Sequence, residues 1–239
     1  VTPDELRARV LHRDPDVIVL DKPAGLPVHA GPKGGANLED MLDALRFERR
    51  ERPGLAHRLD RDTSGCLVLG RHKAALRQLG RLFERGAVEK TYWAVVHGRP
   101  PADSGTVDAP LRKRSQIRGW WMEVHGEGQT AVTDWQVVGH GDGLAWVECR
   151  PRTGRTHQIR VHMAHLGHPI LGDPVYGPKD GPRAPMHLHA RAVLFDYLAG
   201  RRIAAQAEPP PAMRKTLAGL GRSAIELAQN KPQSRAMLG

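Results

Sequence analysis

The stretch His57-Arg58-Leu59-Asp60-Arg61-Asp62-Thr63-Ser64-Gly65 sets Asp60 among two nearby arginines in a polar, turn-forming segment that runs into the apolar Cys66-Leu67-Val68-Leu69-Gly70. In a cleft, the adjacent positive charge favours the ionised carboxylate, the form that a nucleophile or a base requires. Thr63, Ser64 and Gly65 suit a tight turn, because short hydroxyl side chains bond local backbone and glycine takes angles other residues avoid. A second concentration of reactive groups lies at 152–163, where Arg152, Arg155 and Arg160 alternate with His157 and His162 around Thr153-Gly154. Thr156 is placed to cap a helix there, and Arg155 and Arg160 near its start can hold an anion.

Two other chemistries compete for these residues. His157, His162, His165 and His168 invite a zinc site, but no HExxH and no nearby cysteine pair accompany them, and Arg155 and Arg160 would crowd a dication with like charge. They read instead as histidines that satisfy backbone groups and neighbouring side chains. Asp60 and Asp62 could divide acid and base roles in a hydrolase, although spacing of two residues fixes no distance between them.

The elements that must position these groups are legible from periodicity and turn residues. A short helix over Pro3 to Val10 ends at Asp14-Pro15-Asp16, and Val17-Ile18-Val19-Leu20 reads as a strand with a proline-rich exit through Pro23 and Pro27. Asn37 can cap a helix whose apolar positions are Leu38, Met41, Leu42 and Leu45. After a strand over 66–70, Lys73 to Arg85 is an amphipathic helix closed by Gly86, and Lys90 to Gly98 is a strand. From Arg99 to Gly143 the pattern is hairpin-like, with further strands at Ala131 to Val138 and Leu144 to Cys149. Met186 to Phe195 reads as the final strand, and Met213 to Leu227 as a terminal helix before a basic tail.

The 239 residues carry 36 Lys and Arg against 26 Asp and Glu, a formal charge of +10 that favours polyanionic partners. Arg112-Lys113-Arg114 with Arg118, followed by Trp120-Trp121, puts cations beside aromatic faces and suits phosphate contact and base stacking. Cys66 and Cys149 sit in apolar runs and read as buried free thiols of a reducing compartment, the cytoplasm. No apolar run approaches the roughly 20 residues of a membrane span, so a soluble protein is expected.

HRLDRDTSG resembles the central motif of the RluA-type pseudouridine synthases. VLDKPAGLPVH, KTYWAVVHG, RTGRTHQIRVHMAHLGHPILGDPVYG and the LHA segment at 188–190 resemble that family's other motifs, in the family's order. The resemblance implies an α+β fold: a single catalytic domain with a mixed, mainly antiparallel sheet, flanking helices and a central basic cleft. It makes residues 1–14 an N-terminal extension, 15–212 the catalytic domain, and 213–239 a C-terminal helix and basic tail. It implies isomerisation of uridine to pseudouridine in structured ribosomal or transfer RNA by a monomer, with no cofactor and no metal. Asp60 is then the catalytic residue, Arg160 its partner, Tyr92 and Ile159 the residues against the base, and Arg58 a support. Arg112, Lys113, Arg114, Arg152 and Arg155 are left for RNA binding. The rival from another class is a catalytically silent protein that binds structured RNA.

Overall fold

The computed structural model describes residues 1–31, 34–116, 119–180, 184–198 and 200–221. Helix α1 (Pro3–Arg7) opens the chain, capped by Thr2 in a reciprocal capping box with Glu5. It ends before Val10, because Val10–Arg13 forms strand β1 and pairs antiparallel with β2 (Val17–Lys22). The N-terminal extension is thus packed onto the sheet, with Leu6 fully buried. The segment after Asn37 forms a 3-10 helix, Glu39–Leu45, rather than an α-helix. Asn37 still serves its start by accepting from the Asp40 backbone at 3.1 Å.

Next come β3 (Gly54–Leu55), β4 (Ser64–Gly70), α2 (Lys73–Glu84) and β5 (Glu89–His97). The hairpin-like middle forms β6 (Ser104–Asp108), β7 (Leu111–Gln116), β8 (Gly119–Val124), β9 (Val132–Gly141) and β10 (Leu144–Pro151). Then follow α3 (Gln158–His165), β11 (Leu188–Leu198), β12 (Arg201–Gln206) and α4 (Pro211–Gly219). The strand at 186–195 is therefore not the last, because Gly200, at φ 74°, turns the chain back so that β12 pairs with β11. Arg118 and the tail from 222, including the end of the helix expected to Leu227, lie outside the described residues.

The main sheet runs β1-β2-β4-β11-β5-β10-β9-β6, with β12 also on β11 and β3 on β4, while β7 and β8 form a separate two-stranded ribbon. Among the described residues only β4 and β11 pair in parallel, which makes the sheet mixed and mainly antiparallel. Alternation along β4 sends Cys66 and Val68 towards Ala75, Leu79 and Leu82 of α2, and Leu67 and Leu69 towards Leu6, Leu42 and Leu45. On β5, Ala94 and Val96 pack with Ile159 and Met163 of α3, and Trp93 and Val95 with Met213 and Leu217 of α4. Both faces are covered, as the near-continuous apolar run of these strands requires.

The β4–β11 junction is the tightest point. Gly65 has φ 103°, and a Cβ there would lie 2.2 Å from the Ala190 carbonyl oxygen, so no other residue fits without moving a strand. That glycine ends the polar loop and fixes where Asp60 stands relative to β11.

Candidate active site

The loop 57–63 is clamped at both ends. His57 accepts from the Val68 backbone N–H through Nε2 at 2.9 Å and stacks on Phe83 at 4.5 Å. Burial pushes its imidazole down to about 3, so it serves as a neutral anchor rather than an acid or base. On the other side Lys22, fully buried, donates from Nζ to the carbonyls of Pro23, Leu26 and Arg61 at 2.8, 2.9 and 3.0 Å. The Gly25 N–H reaches the same Arg61 carbonyl at 2.9 Å. Burial lowers the Lys22 ammonium to about 8 against the opposing pull of Asp62, Asp60 and Asp21.

The arginines that flank Asp60 in sequence do not hold it. Arg61 turns onto Asp62 with two hydrogen bonds, at 3.0 and 2.9 Å, and Arg58 is an exposed side chain on the wall of the cleft. The partner comes from α3, one hundred residues away: Arg160 donates from Nη1 to Asp60 Oδ2 at 3.1 Å. Arg160 is itself fixed by Asp173, to which Nε and Nη2 donate at 2.6 and 2.8 Å. Burial would raise the Asp173 carboxyl, but Arg160 and the backbone N–H groups of Val175 and Tyr176 outweigh it and hold it below the usual carboxylate range. Burial likewise works against the Arg160 charge, and the two carboxylates reverse that and raise its pKa.

Helix α3 begins at Gln158 and Thr156 does not cap it. His157 occupies the cap position at φ 54°, and its side chain makes no cap hydrogen bond. The buried Gln158 side chain organises the approach instead, accepting from Thr153 Oγ1 at 2.7 Å and from Arg155 N at 3.0 Å, and donating to the Val132 carbonyl at 2.9 Å. The anions that Arg160 holds are thus the protein's own carboxylates.

Asp60, Tyr92, Ile159, Arg160, Arg152 and Arg155 line one cleft of about 600 Å³. Ile159 is 6% exposed and offers an apolar wall. Burial raises the Tyr92 hydroxyl, so it stays protonated. Lys90, its ammonium lowered by burial, donates to the Thr153 carbonyl at 3.2 Å. Arg152 is committed to Asp134 by hydrogen bonds of 2.7 and 2.8 Å, and Arg155 donates to the Thr130 carbonyl at 3.0 Å. Arg112, Lys113 and Arg114 lie outside the cleft lining, on β7, where Arg112 and Arg114 both bond Glu123.

The histidines do not converge. His162 is buried between Thr133 and the Ala109 carbonyl, and His168 faces the His97 carbonyl. Among the described residues no group of three or more His, Cys, Asp or Glu side chains is placed to hold a metal ion.

Comparison with known proteins decides the family. Residues 16–165 match the model of the RNA pseudouridylate synthases. The chain belongs to this family. It is 44% identical over 210 residues to an uncharacterized RNA pseudouridine synthase of Zymomonas mobilis, covering 87% of this chain and 96% of that one. It is 36% identical to ribosomal large subunit pseudouridine synthase D of Xanthomonas campestris, covering 95% of this chain and 73% of that one. Its fold matches human RNA pseudouridylate synthase domain containing 4 with a TM-score of 0.78 and 30% identity, over 91% of this chain and 95% of that one. Pseudouridine synthases isomerise uridine to pseudouridine in RNA, and the cleft described above brings Asp60, Arg160 and Tyr92 of this synthase together.

The family resemblance named Asp60, Tyr92, Ile159 and Arg160, which the fold brings to one cleft, and the sequence reading passed over Asp173, Lys22 and Tyr176. Asp173 and Tyr176 lie in a loop inside the long GDPVYG-ending motif, and Lys22 at the end of β2 inside VLDKPAG; as polar residues beside turns or at an element end, they carry no periodicity that marks them. Their importance lies in contacts made across the chain.

Proposed function

We propose that this synthase modifies specific uridines of structured ribosomal or transfer RNA, acting as a cytoplasmic monomer with Asp60 as its catalytic carboxylate. The observation that carries the reading is the placement of Asp60 in a cleft with Tyr92 and Ile159 beside it and Arg160 bonded to Oδ2. The ribosomal assignment is supported by the name of the Xanthomonas relative. The buried free thiols Cys66 and Cys149 fit a reducing compartment. Among the described residues the exposed large apolar side chains are limited to Val1, Leu11, Val175 and Leu198, which suits a monomer.

The reaction breaks the N1–C1′ bond, turns the uracil in place and joins C5 to C1′; N1 gains a proton and C5 loses one. An ionised Asp60 can attack the sugar carbon, attack the base, or take a proton from the ribose. In each route Arg160 orients the carboxylate, and the walls formed by Ile159 and Tyr92 retain the detached base. A base stacked in a helix cannot reach a side-chain carboxylate, so the target uridine must be unstacked on binding.

Because C5 loses its hydrogen, RNA transcribed with uridine tritiated at C5 releases tritium as it is modified. Asp60→Asn keeps the side-chain shape without the nucleophile, and is expected to release no tritium while binding RNA within a few-fold of the parent. Carbodiimide mapping of total RNA from cells with and without the gene then identifies the uridine. Tritium release by Asp60→Asn at the parent rate would overturn the role of Asp60, and no release by the parent protein on any cellular RNA would favour the silent RNA-binding protein.

A further inference from the structure

His157 has no role in the chemistry assigned so far, yet its ring lies between two groups that matter to it. Its side chain is 14% exposed, with Nδ1 2.9 Å from the Tyr176 hydroxyl and Nε2 3.8 Å from Oδ2 of Asp60. The Tyr176 hydroxyl is in place to set which nitrogen carries the proton, and the bond it accepts from the main chain favours its donating to the ring. Tyr176 Oη accepts from the Met122 N–H at 2.9 Å, and its own single proton is then free to donate to Nδ1. A neutral imidazole that accepts at Nδ1 carries its hydrogen on Nε2, on the side of Asp60. Burial, acting against the charged form, keeps the ring neutral.

The surroundings hold this arrangement from several directions. The Tyr176 backbone N–H donates to Asp173 Oδ1 at 3.1 Å, and the Arg160 guanidinium lies 5.2 Å from the centre of the Tyr176 ring. The backbone at His157 is left-handed at φ 54°, a conformation uncommon outside glycine, although histidine and asparagine adopt it more readily than other residues. Arg160 already donates to Oδ2 of Asp60 at 3.1 Å, and the Nε2 of His157 faces the same oxygen, too far for a hydrogen bond by less than 1 Å.

We infer that His157 is a positioning residue which, with RNA bound, donates from Nε2 to Oδ2 of Asp60 alongside Arg160, so that Oδ1 is the oxygen presented to the nucleoside. The inference rests on Asp60 being the catalytic carboxylate. Two donors on one oxygen fix the rotation of the carboxylate. The link through Tyr176 to Met122 also ties His157 to the β7–β8 ribbon.

The test compares steady-state tritium release by the full-length variants on in vitro transcripts of ribosomal and transfer RNA. His157→Phe keeps the ring volume and removes the donor; it is expected to lower kcat roughly 10- to 100-fold with KM little changed, the scale of a misplaced catalytic group. His157→Gln, whose amide nitrogen reaches near the Nε2 position, should recover most of that loss. Tyr176→Phe keeps the ring over Arg160 but frees the imidazole tautomer, and should lower kcat by less than His157→Phe. If His157→Phe does not fold, His157→Asn replaces it, since asparagine tolerates this backbone and is too short to reach Asp60. A merely structural role would lower the melting temperature, move kcat and KM together and show no rescue by Gln. The inference is overturned if the donor-less variant keeps the parent kcat, or if Gln folds normally and recovers nothing. Asp60→Asn is run beside them: its activity would sink the underlying reading, whereas an inert Asp60→Asn with a fully active His157→Phe sinks this inference alone.

Discussion

Arg160, 6% exposed, lies between Asp60 and an Asp173 that is 0% exposed, whereas Arg112 and Arg114 hold Glu123 from a strand where they are 42% and 52% exposed. Both regions pair arginine with carboxylate at about hydrogen-bond distance. In the first, removing either partner strands a charge away from water, so the geometry is fixed and can serve to aim a reacting group. In the second, water and salt compete with each ion pair, so the pairs can open and exchange one anion for another. The interior arrangement suits chemistry and the outer one suits phosphate.

The largest effect should come from breaking the inner set at its hidden end. Asp173→Asn keeps Oδ1 as an acceptor for the Val175 and Tyr176 N–H groups and for Arg160 Nη2, but sets an amide NH2 against Arg160 Nε, so that one hydrogen bond is lost together with the charge. Leaving a buried guanidinium with only Asp60 should cost roughly 3–5 kcal/mol of stability, on the scale of a broken buried pair. Turnover should fall as well, since Arg160 is no longer held in one rotamer. Urea denaturation and tritium release measure the two separately, and a variant as stable and as fast as the parent would mean that Asp173 positions nothing.

This pair also shows what the sequence does and does not carry. Asp60 and Arg160 were legible because each stands in a dense run of chemically unusual residues, and β4, α2 and β5 because their apolar patterns are continuous. The pairing across one hundred residues rested on family likeness, since local charge pointed to Arg58 and Arg61 instead. Arg61 is taken by its neighbour Asp62, a choice made by loop geometry that charge spacing does not encode. Thr156 failed as a cap for a related reason: the chain enters α3 through a left-handed His157, and Gln158 bonds the preceding turn from inside. The strand β12 was missed because Arg201-Arg202-Ile203-Ala204-Ala205-Gln206 offers only Ile203 and two alanines to a periodic reading, although Ile203 is buried in the core.

A second buried group extends the contrast to pH. His189 is fully buried, with Nε2 against the Ala207 carbonyl at 2.9 Å and Nδ1 accepting from the Ser64 hydroxyl at 2.8 Å. Burial lowers its pKa to about 4 from an ordinary 6.5. Between those values the unfolded chain binds a proton that the folded one refuses. The stability contribution is therefore complete above pH 6.5 and is lost as pH falls towards 4, at up to about 1.4 kcal/mol per pH unit. His189→Gln should flatten the decline of stability between about pH 6.5 and 5 by up to about 2 kcal/mol. Parallel stability curves for the two proteins across that range would show that His189 does not titrate as its burial requires.

The smallest effect should come from the outer set, and there the sign is the informative part. Arg112 and Arg114 share Glu123, and Arg112 also lies 3.7 Å from Glu127, so in the free protein these cations are already partly neutralised. Arg114 and Arg112 in turn hold the Glu123 carboxyl below the usual range, and it stays charged through neutral pH. An RNA phosphate that uses this ribbon must compete with that carboxylate. Reversing the arginines, Arg112→Glu with Arg114→Glu, should weaken binding to many structured RNAs alike and make the dependence of affinity on salt shallower by about one for each phosphate that is no longer neutralised. Removing the competitor should do the opposite: Glu123→Gln takes away the carboxylate that both guanidinium groups share, tightens binding a few-fold and steepens the salt dependence, with turnover of bound RNA unchanged. Binding titrations at several salt concentrations, beside thermal melts that should scarcely move, check both. If Glu123→Gln leaves affinity and salt slope where they were, the ribbon arginines do not meet phosphate, and the ion pairs on β7 and β8 serve only to hold the two strands together.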